Sequence, residues 1–598
     1  MSPEAAGAKR YYIGLASSCH DPAIAIVDDS GEVVFAEATE RFLQHKRAWD
    51  CVPDNLLYMP QVIRRYCDPS ASFVVATTWS PRLYALLRFF YMMGLLRSTR
   101  LTAKNQSRSS PFVLERYKMT WLSSLMFSSL RKTGINLVAQ LKNQFGNANV
   151  RFQHFPHHLT HAAFACYSSP FENAACAIMD GNGEFGSHSF YAYDKGALRP
   201  IKLVKGFGSL GFLYSRITEL CGFDWIAGEE WKVMGLASYG QLDARIYELI
   251  RSLVVVRKLS MNFVRSPAKM DRVFAEVRRL VRGRGNDPMA AADLAFTGQV
   301  IFSEIALALI KDLYAMGVSD DLVVGGGCAL NSSFNGQVLT SSPFRRLHVP
   351  SAPGDDGNAI GAAWLAYRRD HPGWVRPGNI LSAYLGSSVS STALENLMRF
   401  GQLQHVRHLP GTVHREAARL LAQGKLIGWV QGRAEFGPRA LGNRSILADA
   451  RDPGMKDRIN AIVKFREEFR PFAPSILHEH GDVYFENYQE TPYMEATLRF
   501  RPEVRGKVPA VVHHDHTGRL QTVKKEWNER YHALLSAYYE LTGVPLVLNT
   551  SFNIMGKPII HSVEDALGLF FTTGLDVLVI DDYLIEKPAK TERPQPVI

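Results

Sequence analysis

The sequence predicts an α/β protein with two domains. Its 598 residues exceed the ~250–300 at which a single hydrophobic core stops growing. Runs rich in β-forming residues alternate with helical stretches, which is the pattern of α/β folds. A Pro- and Gly-rich passage at 371–378 is the best boundary, because cysteine disappears after it and dense Arg, Glu and Asn motifs begin. We therefore expect one domain over residues 1–375 and another over residues 376–598.

The first domain opens with three short β-rich runs. They cover Tyr11–Leu15, Ala23–Val27 and, after an Asp-Asp-Ser-Gly turn, Val33–Ala36. A strand, a turn and a hairpin in this order are similar to the start of an actin/hexokinase-type nucleotide-binding domain. Many α/β proteins begin with a hairpin, so this interpretation depends on the motifs that follow.

The composition argues against several classes of protein. An apolar content of 46% and a charged content of 21% are ordinary for a globular chain and disfavour large-scale disorder. Seven cysteines without a C-x-x-C pair argue against a disulfide framework and against a thiolate metal site. The first ten residues lack the apolar core of a signal peptide. We therefore expect a reduced, cytoplasmic setting.

Positive charge is concentrated between residues 81 and 150. Eleven Lys and Arg against one acid, Glu115, give this stretch +10 of the chain's net +11. Nucleic acid is one partner for such a segment, but the interleaved aliphatic and aromatic residues favour amphipathic helices. The apolar run at 89–96 is far shorter than the ~20 residues that span a bilayer. We expect a basic helical insertion packed on a core, without a nucleic-acid partner or an integral membrane segment. An acceptor-binding lid, an oligomer contact and a membrane-surface patch are the alternatives.

Two histidines and two aspartates form a candidate metal site. On a helix, His157 and His161 share a face because positions i and i+4 are neighbours. A lone His pair is more often structural, but Asp180 and Asp355 each follow an apolar strand and lie just before glycine. Open α/β sheets place ligand groups at such positions. Imidazoles with carboxylates suit a divalent first-row metal such as iron, zinc or manganese.

Two glycine-rich segments are candidate nucleotide-binding loops. The segment over 325–331 follows a strand, and glycine there lets the backbone approach a phosphate or a ribose closely. The segment over 228–240 carries two carboxylates and Lys232 between its glycines. A buried turn is the alternative for both segments.

The second half of the chain concentrates guanidinium groups among Gly, Pro and Phe. Arg433, Arg439 and Arg444 fall within twelve residues, and the segment over 464–472 adds three more basic residues. Arg forks match phosphate oxygens bidentately. A charge run is usually a solvated face, but the Gly, Pro and Phe neighbours favour a polyanion pocket. The segments over 514–522 and 548–553 add the hydroxyls, amides and guanidinium that a planar amide-like group needs.

Together these motifs resemble those of the NodU/CmcH family of O-carbamoyltransferases, over nearly the whole chain. The shared strings are H-H-x-x-H-A at 157–162, D-G-x-G-E at 180–184, G-G-C-A-L-N at 326–331, G-R-x-E-F-G-P-R-A-L-G-N-R-S at 432–445, K-x-R-E-x-F-R-P-F at 464–472 and L-N-T-S-F-N at 548–553. The chain departs from the family where Gly-Glu-Glu-Trp-Lys replaces Gly-Glu-Gly-Lys and where Pro22-Ala23 follows His-Asp. These departures bear on acceptor geometry more than on adenylate chemistry.

The resemblance implies a fold and a reaction. It implies an actin-like N-terminal domain and a YrdC-like α/β C-terminal domain. The C-terminal site would bind ATP, with Mg²⁺, and carbamoyl phosphate, form carbamoyl adenylate and release pyrophosphate. The N-terminal domain, holding a metal that is Fe²⁺ by resemblance, would pass the carbamoyl group to a hydroxyl of a small molecule such as a natural product, an antibiotic included.

The resemblance also assigns site residues. His20 is the candidate base for the acceptor hydroxyl, because imidazole titrates near neutral pH; a strand-end hydrogen-bonding role is the alternative. The implied metal ligands are His157, His161 and Asp355, with Asp180 nearby. The implied nucleotide contacts of the first domain are Gly326, Gly327, Asn331 and Lys232. The implied adenylation pocket comprises Arg433, Arg439, Arg444, Lys464, Arg470, Arg519, Asn549 and Ser551, with Arg439 and Lys464 as catalytic residues.

Two alternative functions remain at this point. One is a tRNA threonylcarbamoyl-type transferase, although Gly-Pro-Arg-Ala-Leu-Gly fits the small-molecule family better. The other is a non-enzymatic nucleotide-binding scaffold, which leaves the His and Asp set without a purpose. A homodimer is expected by resemblance alone.

Overall fold

The computed structural model describes residues 9–80, 85, 86, 89, 111–146, 149–184, 186–206, 208–264, 266–282 and 287–587. The chain divides into two compact units. The first comprises Met1–Leu385 with Phe436–Pro438, and the second comprises Gly386–Glu435 with Arg439–Ile598. Both units mix helices with sheets, so the predicted α/β class is confirmed.

The first sheet of the first unit contains the opening strands that the sequence predicts. Its strands are β1 Arg10–Ala16, β2 Ala23–Val27, β3 Val33–Ala38, β4 Ser72–Thr77 and β5 Val150–His154. They lie in the order β3-β2-β1-β4-β5. The first three pair antiparallel, whereas β4 pairs parallel with β1 and with β5.

A second sheet repeats this order. The further strands of the unit are β6 Asn173–Gly183, β7 Gly186–Asp194, β8 Ala197–Lys205, the hairpin β9 Val254–Val256 and β10 Met261–Phe263, then β11 Asp321–Gly325 and β12 Arg346–His348. The sheet runs β8-β7-β6-β11-β12, with the first three antiparallel and the last two parallel to β6. Two sheets with one shared topology confirm the actin/hexokinase-type fold expected for this part of the chain.

Helices cover and connect the two sheets. Those described in the first unit are Thr39–Leu43, Met59–Tyr66, Pro111–Lys132, Ile135–Phe145, His157–Tyr167, Leu210–Leu220, Glu230–Ala237, Ala244–Arg251, Pro267–Arg282, Ala292–Tyr314, Ser332–Ser341 and Asn358–Asp370. One helical stretch, Pro288–Tyr314, is long and apolar enough to cross a membrane by length and composition. However, 67% of its apolar window is buried inside the protein, which is the pattern of a core helix.

Two of these helices pack unusually closely. A Cβ on Gly361 would lie 2.0 Å from the carbonyl oxygen of Thr160, and a Cβ on Gly14 would lie 1.8 Å from that of Ala359. Only glycine permits such approaches. The helix Asn358–Asp370 therefore packs directly on β1 and on the helix that begins at His157, which brings the first turns of both helices together.

Part of the basic insertion lies outside the described residues, including the apolar run at 89–96 apart from Phe89. Its second half forms the helices Pro111–Lys132 and Ile135–Phe145. Leu137 and Leu141 are fully buried in the core against β1 and β4. Thr133 Oγ1 donates to Ser17 Oγ over 2.7 Å. The expected packing on a core is confirmed for this described part.

The second unit is built on one mixed sheet of eight strands. Its strands are β13 Val406–His408, β14 Ile427–Val430, β15 Arg444–Ala448, β16 Ala473–Leu477, β17 Thr497–Arg499, β18 Thr517–Arg519, β19 Gln521–Val523, β20 Leu546–Ser551, β21 Val577–Ile580 and β22 Tyr583–Glu586. The large sheet has the order β13-β22-β21-β14-β15-β20-β16-β19, and β17 pairs with β18 alone. The helices are Ser391–Phe400, Val413–Ala422, Met455–Ile459, Gly481–Tyr484, Pro502–Arg505, Glu529–Thr542 and Val563–Thr572. This mixed sheet with covering helices agrees with the implied YrdC-like α/β class.

Candidate functional site

The first unit gathers the four predicted metal ligands at one point. His157 and His161 lie one turn apart on their helix, Asp180 lies on β6, and Asp355 opens a short 3₁₀ turn before the helix Asn358–Asp370. Their ligand atoms all lie within 4.8 Å of one another. Two consecutive elements and a turn much later in the chain thus converge on one cluster, which we call the His–Asp cluster (His157, His161, Asp180, Asp355).

The spacing in the His–Asp cluster is that of a shared centre. His157 Nε2 lies 3.3 Å from Asp180 Oδ2 and 3.5 Å from Asp355 Oδ1. His161 Nε2 lies 3.5 Å from Asp355 Oδ1 and 3.2 Å from His157 Nε2. Both imidazoles are at least 98% buried. Two imidazoles and two carboxylates that face each other in a buried site are a donor set that fits a divalent first-row metal.

The electrostatics of the cluster favour a bound cation. Burial by itself lowers the pKa of His157, but Asp355 and Asp180 outweigh burial and raise it to about 10. Burial would raise the pKa of Asp180, yet its hydrogen bond to His157 and the charge of His161 hold it well below the usual value. The directions of these shifts favour ionised carboxylates with a positive charge between them, which a proton or a metal ion can supply.

His20 belongs to a hydrogen-bonded chain in the same unit. Its Nδ1 lies 2.8 Å from Asp21 Oδ2, and the Arg47 guanidinium donates to the same oxygen over 3.2 Å and 3.3 Å. Burial would raise the pKa of Asp21, but Arg47 and His20 lower it. An ionised Asp21 fixes Nδ1–H of His20 as the donor, which leaves Nε2 as the basic nitrogen.

The predicted nucleotide contacts of the first unit have structural partners. Gly326 has φ +85°, and Gly327 N donates to Asp180 Oδ1 over 2.9 Å, so this turn lies against the His–Asp cluster. Asn331 caps the helix Ser332–Ser341 by accepting from the Phe334 N–H. Lys232 Nζ forms an ion pair of 2.7 Å with Glu229.

The second unit gathers five cationic side chains, which we call the cationic cluster. They are Arg439, Lys464, Arg466, Arg470 and Arg519. Burial lowers the pKa of Arg439 to about 10, and burial with the charge of Arg470 lowers that of Arg466 to about 9. Burial, then Arg439 and Arg466, lower the pKa of Arg519. The charges of Arg439 and Arg466 thus act on Arg519, so these three side chains lie near one another in the second unit.

Lys464 is placed in this cluster by an unusual turn. The π-helix Asn460–Lys464 ends at Phe465, whose φ of +49° is in the left-handed region. The Lys464 ammonium contacts Asn553 Oδ1 at 2.7 Å, Ser551 Oγ at 3.3 Å and the backbone carbonyl of Ser551. Burial, then Arg466 and Arg470, lower the Lys464 pKa well below its usual value. Turns of this kind occur often at functional sites.

Other predicted pocket residues form hydrogen bonds to the backbone and side chains around them. Arg444 is 1% exposed, and its guanidinium donates to the backbone carbonyls of Gln431, Ser387, Gly432 and Asn443. These contacts hold Arg444 against its loop, and its role in the adenylation pocket stays a prediction. The remaining contacts are Arg433 to the Gly386 carbonyl, Arg470 to Glu467, and Asn549 to Ala440, Ser475 and Gln521.

Sequence reasoning did not select three residues that the structure places at these sites. Arg466 lies two positions after Lys464 inside the motif at 464–472, so membership of that motif could have identified it. Asn358 follows Asp355 by three residues and lies beside both imidazoles. Arg47 stands in no recognised motif. Its contact with Asp21, 26 residues earlier in the chain, becomes visible only in the folded protein.

Family models of known proteins match most of the chain. The model described as the carbamoyltransferase N-terminus matches residues 11–364, and the model described as the carbamoyltransferase C-terminus matches residues 418–587. The first match covers most of the first unit and includes the whole His–Asp cluster. The second includes the whole cationic cluster.

Individual relatives are similar over about three quarters of the chain. An uncharacterized protein of Synechocystis sp. is 35% identical over 475 residues, which are 73% of this chain and 77% of the relative. The nodulation protein NolNO of Sinorhizobium fredii is 37% identical over 461 residues, which are 74% of this chain and 65% of the relative. The solved structure of full-length HypF in its phosphate- and nucleotide-bound form is 12% identical with a TM-score of 0.35, over 62% of this chain and 56% of that chain. A score this low carries no argument about this chain.

Proposed function

The chain belongs to the carbamoyltransferase family. We propose that it uses ATP to convert carbamoyl phosphate into carbamoyl adenylate, and that it then transfers the carbamoyl group to a hydroxyl of a small molecule. The cationic cluster is the proposed site of activation. Carbamoyl phosphate, water and ATP would give carbamoyl adenylate, phosphate and pyrophosphate there. The acceptor oxygen would then form the new bond to the carbamoyl carbon, and AMP would leave.

The observation that supports the proposal is the position of Lys464, whose buried ammonium contacts Ser551 Oγ at 3.3 Å and Asn553 Oδ1 at 2.7 Å within the cationic cluster. Four half-buried guanidinium groups and one buried ammonium are the kind of donor set that a polyphosphate requires. The same donors stabilise the charge that develops on phosphate oxygens during adenylate formation. Lys464 and Arg439 are the proposed catalytic residues of this step.

The transfer step is proposed for the first unit. His20 would take the proton of the acceptor hydroxyl at Nε2, with Asp21 holding the opposite ring nitrogen. The His–Asp cluster would hold a divalent metal, which supplies Lewis acidity when bound. Asp180 also accepts from Gly327 N, so the glycine turn proposed to approach the nucleotide lies against the metal ligands.

The first test measures pyrophosphate release without any acceptor. Purified protein is given ATP, carbamoyl phosphate and Mg²⁺. We expect release that depends on carbamoyl phosphate and falls by about 100-fold or more in Arg439→Ala, since one lost charged donor costs about that much. Arg419→Ala is the matched control, because Arg419 is an exposed helix residue that pairs with Glu416. Equal rates in wild type and Arg439→Ala, or no release even with pooled candidate alcohols, would contradict the proposal.

A further inference from the structure

A tryptophan lies against the candidate base of the transfer step. The ring centroids of His20 and Trp49 are 5.3 Å apart and their planes cross at 63°, which is an edge-to-face contact. The Arg47 guanidinium, which donates to Asp21, lies 5.2 Å from the centroid of the Trp49 ring. Edge-to-face and cation–π contacts both favour one orientation of a ring. The indole of Trp49 is therefore held beside His20.

A second tryptophan continues this arrangement from the basic insertion. Trp121 lies on the helix Pro111–Lys132, and its ring stacks near that of Trp49, with centroids 6.4 Å apart and planes at 23°. On the same helix, Ser129 Oγ donates to Asp50 Oδ1 over 3.3 Å, which joins the helix to the chain segment that carries Trp49. The three rings form a continuous series that begins at the candidate base, and we call it the aromatic row (His20, Trp49, Trp121).

Both ends of the aromatic row are accessible. The His20 side chain is 27% exposed, and Trp121 is 51% exposed. An exposed indole in line with the proposed base is apolar surface that a ligand can cover, and flat rings stack on indole faces. None of the shared family strings falls within the insertion that carries Trp121. This helix is therefore a place where acceptor preference can vary while the adenylate chemistry stays the same.

We propose that Trp121 determines acceptor specificity by stacking against a flat ring of the acceptor while a hydroxyl of that acceptor reaches His20. The inference rests on the proposed function, in which His20 is the base. Because Trp49 separates Trp121 from His20, the acceptor must be larger than one ring. Its stacked part has a flat apolar face, which a sugar ring presents with its C–H groups and an aromatic ring presents with its π system.

Binding of three probes to the full-length protein tests the proposal by calorimetry. Phenyl β-D-glucoside carries an aromatic ring beside its sugar, cellobiose carries a second sugar ring, and glycerol carries hydroxyls without a ring. We expect the wild type to bind at least one ring probe about 10-fold or more tightly than glycerol. Trp121→Ala should weaken that binding about 10-fold, whereas Trp121→Tyr keeps a ring and should bind within about threefold of wild type. Phe400→Ala is the matched control, because Phe400 is an exposed aromatic residue of the second unit.

The outcomes separate the role of Trp121 from the proposed function. A loss confined to phenyl β-D-glucoside would identify an aromatic ring as the stacked part, and a loss confined to cellobiose would identify a sugar ring. A wild type that prefers neither ring probe to glycerol, or unchanged binding in Trp121→Ala, would overturn the role of Trp121. If circular dichroism shows that Trp121→Ala is not folded, Trp121→Leu replaces it, since leucine is apolar without a flat ring. Acceptor-free pyrophosphate release by the same wild-type preparation is measured alongside, and its absence would count against the proposed function instead.

Discussion

Arg439 and Arg444 lie five residues apart, yet their environments differ. The two terminal nitrogens of Arg444 donate to the backbone carbonyls of Gln431, Asn443, Ser387 and Gly432. Arg439 lies near other cations, and burial lowers its pKa to about 10. At the scale of the residue, therefore, side chains of one type within one motif have different partners, and the predicted pocket roles of both arginines stay predictions.

Asp21, whose Oδ2 lies 2.8 Å from His20 Nδ1, is the residue that we expect to orient the proposed base. Asp21→Asn removes the charge that orients His20, so we expect pyrophosphate release to continue while carbamoyl transfer falls by about 100-fold or more. The measurement follows labelled carbamoyl groups from carbamoyl phosphate into a pool of candidate alcohols. Asp28→Asn, in the exposed turn before β3, is the matched control. Unchanged transfer in Asp21→Asn would exclude His20 and Asp21 as a catalytic pair.

At the scale of the element, the first turns of helices carry much of the site. The helix His157–Tyr167 begins at a residue of the His–Asp cluster, and the helix Asn358–Asp370 begins with Asn358, whose Nδ2 lies 3.0 Å from His161 Nε2. The helix Ser332–Ser341 begins instead with a capping residue, Asn331, that also bonds Gln299. In the first unit, therefore, the starts of helices carry both a member of the His–Asp cluster and a residue that caps its helix.

Substitutions of Asn331 distinguish a helix-capping role from a nucleotide-binding role. Asn331→Ala should destabilise the protein by about 1 kcal/mol, because the cap of Ser332–Ser341 is lost. Asn331→Asp keeps an oxygen cap and should cost less. Thermal unfolding measures both variants, and ATP binding to each is measured alongside. A loss of ATP binding in Asn331→Asp, with stability retained, would instead favour the nucleotide role.

At the scale of the whole molecule, the two proposed half-reactions belong to different units. The His–Asp cluster lies in the first unit and the cationic cluster in the second. His161→Ala should therefore abolish Co²⁺ binding and carbamoyl transfer but leave acceptor-free pyrophosphate release within about twofold of wild type. Arg439→Ala should do the reverse, with metal binding retained. Loss of both functions in either variant would show that the sites are not separable.

The sequence predicted the strands and the donor sets better than the partners of single side chains. Alternating apolar runs indicated β1, β2 and β3 correctly, since strand formation depends on local pattern. The spacing of His157 and His161 indicated a shared helix face for the same reason. Arg47 and Asn358 were missed because their roles come from distant chain segments.

The amino-acid sequence by itself determined the α/β class, the family motifs and the residue types available for chemistry. Helical periodicity and strand alternation are local properties, so they can be read without a fold. Only the tertiary structure decided that Asp180 and Asp355 lie beside the two histidines. It also decided that Arg444 donates to backbone carbonyls while Arg439 lies in the cationic cluster. Those outcomes depend on which backbone atoms and charges approach one another in the folded chain. Local sequence does not specify such approaches, because they follow from packing of the complete chain.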